Sequence, residues 1–386
     1  MELKNRVRLS ELDWLRVILI FAVFLHHVCM PFNGDGWHIM NSESSKLLDD
    51  IMVYFEQFRL PILFFISGVG SVILLSKVTA QKFTLDKVTR LLIPLFIGSL
   101  LIVPPQTYIE NIDELQSYWQ EFPKLALKFE TNHLWFIEYL FVFALLAIPI
   151  NMLLHSRFVT LANGALAKLA QFKGGLFLLV GLLIAVKIYF SLMFPSDDKK
   201  IENLSSSAYY FFFFISGMIF IRNNSVWQAI CEQRFNNLII LSLSTIAFYG
   251  YYYSPDLSAY LSLDARWSIW WLVCCLVAWS ALLTILGYAQ FYLTKTPKWL
   301  HLTNELVYPF YIFHQTVIVV LGFYVITWQT SIHIKILALF VLSFIITSFI
   351  CFFIVKPFNV LRFMFGLKPN KTEESVAYIK SLKQNK

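Results

Sequence analysis

The chain has 386 residues, of which 58% are hydrophobic and 14% charged, and its formal net charge is +7. A typical soluble domain carries roughly 25% charged residues, and a soluble fold cannot hide so large an apolar excess from water. The composition therefore excludes a soluble enzyme, a disordered chain and a disulfide scaffold. It leaves a polytopic α-helical membrane protein, because continuous rather than alternating apolar runs argue against a β-barrel.

In chain order, ten apolar runs are long enough, or nearly so, to cross about 30 Å of hydrocarbon: 12–31, 55–75, 90–107, 133–154, 175–194, 206–222, 236–253, 267–287, 305–327 and 333–356. The third is short and holds Pro94, Pro104 and Pro105; the sixth is short and opens on Ser205, Ser206 and Ser207. With the N-terminus placed inside, basic residues favour the inner segments by about three to one. Lys4, Arg6, Arg8, the run Lys77 to Arg90 and the tail lysines are inside; Lys46, Lys124, Lys128, Lys199 and Lys335 are among the few outside. The expected fold is an all-α polytopic integral membrane protein of about ten transmembrane helices with both termini cytoplasmic. Residues 1–356 form one membrane domain and 357–386 a short basic cytoplasmic tail. The first run reads as a retained span, since no small-residue cleavage site follows it. The positive charge reads as topology and contact with anionic lipid, not as a nucleic-acid patch.

Ionisable groups at membrane depth are the natural site candidates, because each is costly unless paired or facing water. The first span carries Asp13, Arg16, His26 and His27. Arg16 and His27 are 11 residues apart, which puts them on one helix face about 16 Å apart along the axis. His26 points about 100° away, so only one of the two histidines is expected to share a cavity with Arg16. The bland alternatives are an interfacial Asp13–Arg16 ion pair and a His27 that merely bonds a neighbouring helix. The second span carries Glu56, Arg59, Pro61 and Ser67, where Arg59 needs a partner and Glu56 is the nearest. The fourth opens on His133 and Trp135 and continues to Glu138. The fifth holds Lys187, expected to reach outward past Ser191. The ninth holds His314 behind Tyr308 and Tyr311. His155, His301 and His333 sit at span ends and read as interfacial. The pentapeptide Phe-Phe-Ile-Ser-Gly occurs at 64–68 and again at 213–217, and Ser-Gly pairs in membrane helices mark close packing. The five cysteines show no metal-ligand spacing, and no metal or bound cofactor is expected. Walker, GxGxxG, HExxH and GxSxG motifs are absent.

Taken together, these blocks resemble the membrane acyltransferase 3 family. Leu12-Asp13-Trp14-Leu15-Arg16 with His27 eleven residues after Arg16, Phe58-Arg59-Leu60-Pro61 leading to Ser67-Gly68, Arg90-Leu91-Leu92-Ile93-Pro94, His133-Leu134-Trp135-Phe136 and Tyr308 to His314 follow the family's motifs in family order. Lys87 and Gln315 are departures. Trp37 to Ser42, including His38, is similar to the branch containing the succinyltransferase of osmoregulated periplasmic glucans. The resemblance implies transfer of an acyl group, acetyl or succinyl, from a cytoplasmic acyl-CoA to a hydroxyl of an extracytoplasmic glycan or lipid-linked sugar, in a bacterial inner membrane. It implies His27 and Arg16 as catalytic residues. Asp13, His38, Arg59, Ser67, Arg90, His133, Trp135, Glu138, Tyr311 and His314 become substrate-binding candidates. A transporter or flippase for an anionic sugar or lipid would account for the intramembrane charges equally well, but not for the motif set.

Overall fold

The computed structural model describes residues 9–154, 157–195 and 200–370. Lys4, Arg6, Arg8, His155, Lys199 and the tail lysines from Lys371 onward, all invoked above, lie outside the described residues.

Apolar periodicity becomes helix throughout, and no strand occurs among the described residues. In chain order the helices are α1 (Ser10–Cys29), α2 (Lys46–Leu75), α3 (Ala80–Lys87), α4 (Ile93–Leu101), α5 (Pro104–Glu110), α6 (Tyr118–Leu127), α7 (Trp135–Leu153) and α8 (Arg157–Gln171). They continue with α9 (Val180–Met193), α10 (Leu204–Phe220), α11 (Asn224–Glu232), α12 (Arg234–Tyr252), α13 (Leu263–Tyr292), α14 (Lys298–Val325), α15 (Ile332–Phe349) and α16 (Asn359–Met364). A π-helical turn, Val88–Leu92, joins α3 to α4, and a second, Ile350–Val355, prolongs α15. Pro61 leaves α2 continuous. Pro104 and Pro105 instead start α5 afresh, where a missing N–H costs nothing.

Each of the ten expected runs coincides with a helix, but not all are equally apolar. Among the described residues, eight segments are long and apolar enough to cross a membrane, or nine if α10 and α11, bent by 106° at their break, form one span. The remaining helix is α12. Its 19 residues reach about 28 Å, but Asn236, Asn237, Ser242, Ser244 and its tyrosines dilute its hydropathy. Its buried face, with Asn237, Ser244 and Phe248, packs along α13.

The repeated pentapeptide marks the tightest crossing in the bundle. A Cβ on Gly68 of α2 would lie 1.9 Å from the Phe214 carbonyl oxygen of α10, and one on Gly217 would lie 2.1 Å from that of Phe65. The two copies pack against each other reciprocally, and only glycine permits the backbones to approach so closely. Ser67, expected as a substrate contact, donates to Leu63 O at 2.8 Å within its own helix. Around this crossing, Phe64, Phe65, Phe213, Phe214 and Trp279 are fully buried.

Two further expectations change. Lys187 does not reach outward: it is 5% exposed, donates to Ser205 Oγ at 2.9 Å and sits 3.8 Å above the Trp271 ring. The segment after residue 356 is not a free tail as far as Asn370. α16 folds back so that Arg362 meets Glu305 at 2.5 Å and the Phe365 ring lies 4.7 Å from that of Phe313. Gly366, at φ +74°, turns the chain where a Cβ would come 2.8 Å from the Arg90 carbonyl oxygen.

Candidate active site

At the C-terminal end of α1 the bundle encloses a polar cavity of about 430 Å³. α1 supplies His26 and His27, α2 supplies Glu56 and Arg59, the segment opening α7 supplies Asn132, His133 and Trp135, and α14 supplies Tyr311 and Gln315. The loop 33–45 closes one side with Asp35, Trp37 and His38. That loop is pinned rather than draped. Asn41 N donates to Pro31 O at 2.9 Å and Ser45 N to Phe32 O at 2.8 Å. Buried Lys335 donates to Asn41 Oδ1 at 2.7 Å and to Ile326 O at 2.8 Å. Ile39 lies against Gly322 of α14, where a Cβ would collide with it at 2.3 Å.

The hydrogen bonds fix which imidazole nitrogens carry protons. His314 Nδ1 lies 2.6 Å from the Tyr311 carbonyl oxygen, which only accepts, so this nitrogen is the N–H. In the neutral ring Nε2 is then a lone pair, and it faces His27 Nδ1 at 2.7 Å. His27 Nδ1 therefore donates, and its own Nε2 is left as the unprotonated nitrogen. The Tyr311 carbonyl, His314 and His27 thus form a relay that orients one basic nitrogen, the arrangement a general base requires. His27 and His314 are near-parallel, with ring centroids 5.0 Å apart, and the Trp37 ring stacks on His27 at 6.1 Å.

A second polar network braces the cavity wall. His133 Nε2 donates to Ile312 O at 3.0 Å, and the Tyr311 hydroxyl donates to the His133 carbonyl. Gln315 Nε2 donates to Gln106 Oε1 at 3.0 Å and to His38 Nε2 at 3.1 Å. His38 Nδ1 faces Glu110 Oε2 at 2.5 Å. The chain from Glu110 through His38 and Gln315 to Gln106 ties the loop, α5 and α14 together, and each member has a partner, as a buried polar network must. At the mouth, partial burial and the negative charges of Asp49 and Glu56 hold the Asp35 carboxyl above the ordinary carboxylate range.

The candidates from sequence divide into two groups and some outliers. His27, His38, Arg59, His133, Trp135 and Tyr311 line the cavity, and His314 stands directly behind His27. Arg16 and Asp13 lie at the other end of α1, with Arg16 Nη1 3.3 Å from Asp13 Oδ1 and 3.3 Å from Asn304 Oδ1. Arg90, on the π-helical turn, meets Asp86 at 3.0 Å, and Lys87 lies within electrostatic reach of both arginines. Glu138 does not line the His27 cavity. It belongs to an adjoining pocket with Lys128, Glu130, Lys200 and Glu202, which shares Asn132 and Trp135 with the His27 cavity. The expectation that His26 turns away also changes: both histidines line the cavity and Arg16 does not, because the cavity wraps around the end of α1 over more than the 100° separating neighbouring side chains. Gln106, Asn132 and Gln315 were not singled out from sequence. Gln315 was visible only as a motif departure, and the double proline before Gln106 was the one local sign that α5 begins a new element.

Residues 9–356 match the sequence profile described as an acyltransferase domain. The chain belongs to the acyltransferase 3 family. The matched stretch takes in both ends of α1, the cavity and the glycine crossing. Among characterised proteins, the chain is similar to glucans biosynthesis protein C of Escherichia coli strain K12, 27% identical over 145 residues, covering 36% of this chain and 37% of the relative. The same protein of strain O6:K15:H31 is 26% identical over a stretch of equal length. The chain thus spans little more than a third of the length of these curated relatives. No solved structure matches.

Proposed function

We propose that this acyltransferase-family chain is a membrane O-acyltransferase, taking an acyl group from acyl-CoA and placing it on a hydroxyl of an extracytoplasmic glycan. The observation that carries this reading is the relay from the Tyr311 carbonyl through His314 to His27, which presents one lone pair to a polar cavity. In the reaction His27 Nε2 accepts the proton of the acceptor hydroxyl as its oxygen attacks the thioester carbonyl. The C–S bond breaks, and the proton passes from His27 to the departing thiolate. The imidazolium formed in between keeps its Nδ1–H on His314 Nε2.

The cavity wall suits a sugar. Trp37 and Trp135 offer flat apolar faces, and Asp35 and Glu56 offer acceptors for hydroxyls. Arg16 and Arg90, at the opposite end, suit the phosphates of coenzyme A. The roughly 16 Å of helix between Arg16 and His27 is a distance for the pantetheine arm to cover. The basic inner loops support an N-terminus inside and with it a cytoplasmic donor and an acceptor outside an inner membrane, and the relatives' name supports a glucan-like acceptor.

The test offers acetyl-CoA and succinyl-CoA to membranes with and without the protein and follows free thiol together with the mass of envelope glycans. The expected result is protein-dependent thiol release and a matching mass increment on a glycan. Sugar movement without acyl-CoA consumption would overturn this reading in favour of a carrier.

A further inference from the structure

The loop 33–45 is held unevenly along its length. Gly34 and Gly36 have positive φ, +97° and +72°, and a Cβ on Gly36 would meet nothing within 4 Å. The turn just before Trp37 therefore has glycine freedom on both sides of Asp35. From Trp37 onward the contacts are dense. The Trp37 ring packs on the apolar cluster of Phe24, Val28, Phe32 and Ile318 and lies over His27 with 21° between the ring planes. The next ring in the chain, His38, has its centroid 5.1 Å from that of Trp37.

His38 is clamped on both ring nitrogens. Its Nδ1–H donates to the Glu110 carboxylate of α5 at 2.5 Å, and its Nε2 accepts from Gln315 of α14 at 3.1 Å. Gln315 is in turn bonded to Gln106, which is fully buried. With both nitrogens committed to the protein, His38 has none left for a sugar or for the reacting proton. Its effect falls on its neighbour. The bond from Lys335 to Asn41 and the contact of Ile39 with Gly322 hold the far half of the loop, so the His38 clasp is the polar hold nearest to the indole that glycine at position 36 leaves free to turn.

A basic nitrogen such as His27 Nε2 takes a proton from any hydroxyl that reaches it, and water is the most abundant one. When water adds to the thioester carbonyl, its proton goes to His27, the C–S bond breaks, the proton passes on to the thiolate, and the acyl group is lost as free acid. We propose, on the basis of the acyl-transfer reading above, that Trp37 shields His27 against this loss and that His38 is its positioning residue. The clasp from Glu110 and Gln315 through His38 keeps the indole over His27, so that the acyl group goes to the sugar and not to water. The indole lays apolar surface on one face of the imidazole, where a water molecule would forfeit hydrogen bonds. The approach that remains is through the polar cavity, where the sugar sits.

The test uses the full-length protein in proteoliposomes with acetyl-CoA and reads thiol release without any acceptor, beside acetyl transfer to a water-soluble glucan. The parent should release little thiol until glucan is added. Trp37→Ala and His38→Ala should each raise acceptor-free thiol release by about tenfold or more, the loss of one charge-assisted hydrogen bond or its equivalent. A gain of hydrolysis is a result that mere misfolding does not give. Trp37→Phe, which keeps an aromatic face, and His38→Gln, whose amide oxygen still accepts from Gln315, should each return part of the way to the parent. Glu43→Gln, exposed on the same loop, should leave hydrolysis unchanged. The double variant of Trp37→Ala with His38→Ala should be no leakier than Trp37→Ala alone, because His38 acts through the indole. Hydrogen exchange of the loop backbone should quicken in His38→Ala and not in Glu43→Gln. Parent-level hydrolysis in Trp37→Ala, additive leaks in the double variant, or unchanged exchange in His38→Ala would overturn the proposal. Transfer by the parent with no leak in either single variant would sink the shield alone, whereas no thiol release by parent or variants, with or without glucan, would sink the enzymatic reading.

Discussion

Replacing His314 tests the relay more sharply than replacing the base itself. His314→Phe keeps an aromatic ring among Phe24 and Phe310, whose rings lie 6.3 Å from it, but removes the acceptor 2.7 Å from His27 Nδ1. His27 remains, yet neither its tautomer nor its developing positive charge is held. A hydrogen bond to a charged group is worth about 1.5–3 kcal/mol, so kcat should fall by about 10- to 150-fold. KM for acyl-CoA should not change, because the proposed seat of the donor phosphates is at the far end of α1. His314→Gln can offer an amide oxygen in place of Nε2 and should recover part of the loss. The assay is thiol release from acyl-CoA in proteoliposomes at matched protein amount, with saturating acceptor. A His314→Phe enzyme within about twofold of the parent in kcat, or one altered in KM alone, would refute the relay.

Other perturbations follow from the same geometry. His27→Ala should lower acyl transfer by ~10²–10⁴, and His27→Gln should fail as well because an amide cannot take the proton; His26→Ala should cost much less at equal expression, and a dead His26→Ala beside an active His27→Ala would exchange their roles. Gly68→Ala or Gly217→Ala forces a methyl to about 2 Å from a facing carbonyl oxygen and should destabilise the fold by at least ~1–3 kcal/mol, read as a lower thermal midpoint in detergent; an unchanged midpoint would mean that α2 and α10 do not cross there. Arg16→Lys and Arg90→Lys keep charge but lose the planar fork and should raise KM for acyl-CoA without altering acceptor preference; unchanged donor affinity in both would leave Arg16 as a structural partner of Asp13 and Asn304. Reporter fusions at Lys82 and Lys168 should mark the cytoplasm and those at Asp49 and Glu114 the outside, and a reversal at either loop would invert the assignment of donor and acceptor ends.

Sequence alone determined the quantities that are local along the chain. Continuous apolar runs placed the helices, because a helix satisfies its own backbone in lipid and its length is set by the bilayer. The eleven-residue interval put Arg16 and His27 at opposite ends of one helix, and the small residues of the repeated pentapeptide announced a close crossing. The order of the motif blocks along the chain carries the family resemblance. Tertiary structure decided what depends on how one helix is rotated and laid against another. His27 and His314 are 287 residues apart, and nothing in either segment states that they touch. Ser67 and Glu138 looked as suitable as Arg59 and His133 from their depth in a span, yet the rotation of α2 and α7 directs the first two elsewhere. Gln315, a mere motif departure in the sequence, joins the loop, α5 and α14 because Gln106 and His38 converge on it. The run that becomes α12 reads as a span in the sequence although polar groups dilute it, and its packing along α13 buries two of them, Asn237 and Ser244, while Ser242 stays exposed. The polar pattern of a single helix specifies which groups lie at depth; only the packing of several helices settles which of them share a cavity.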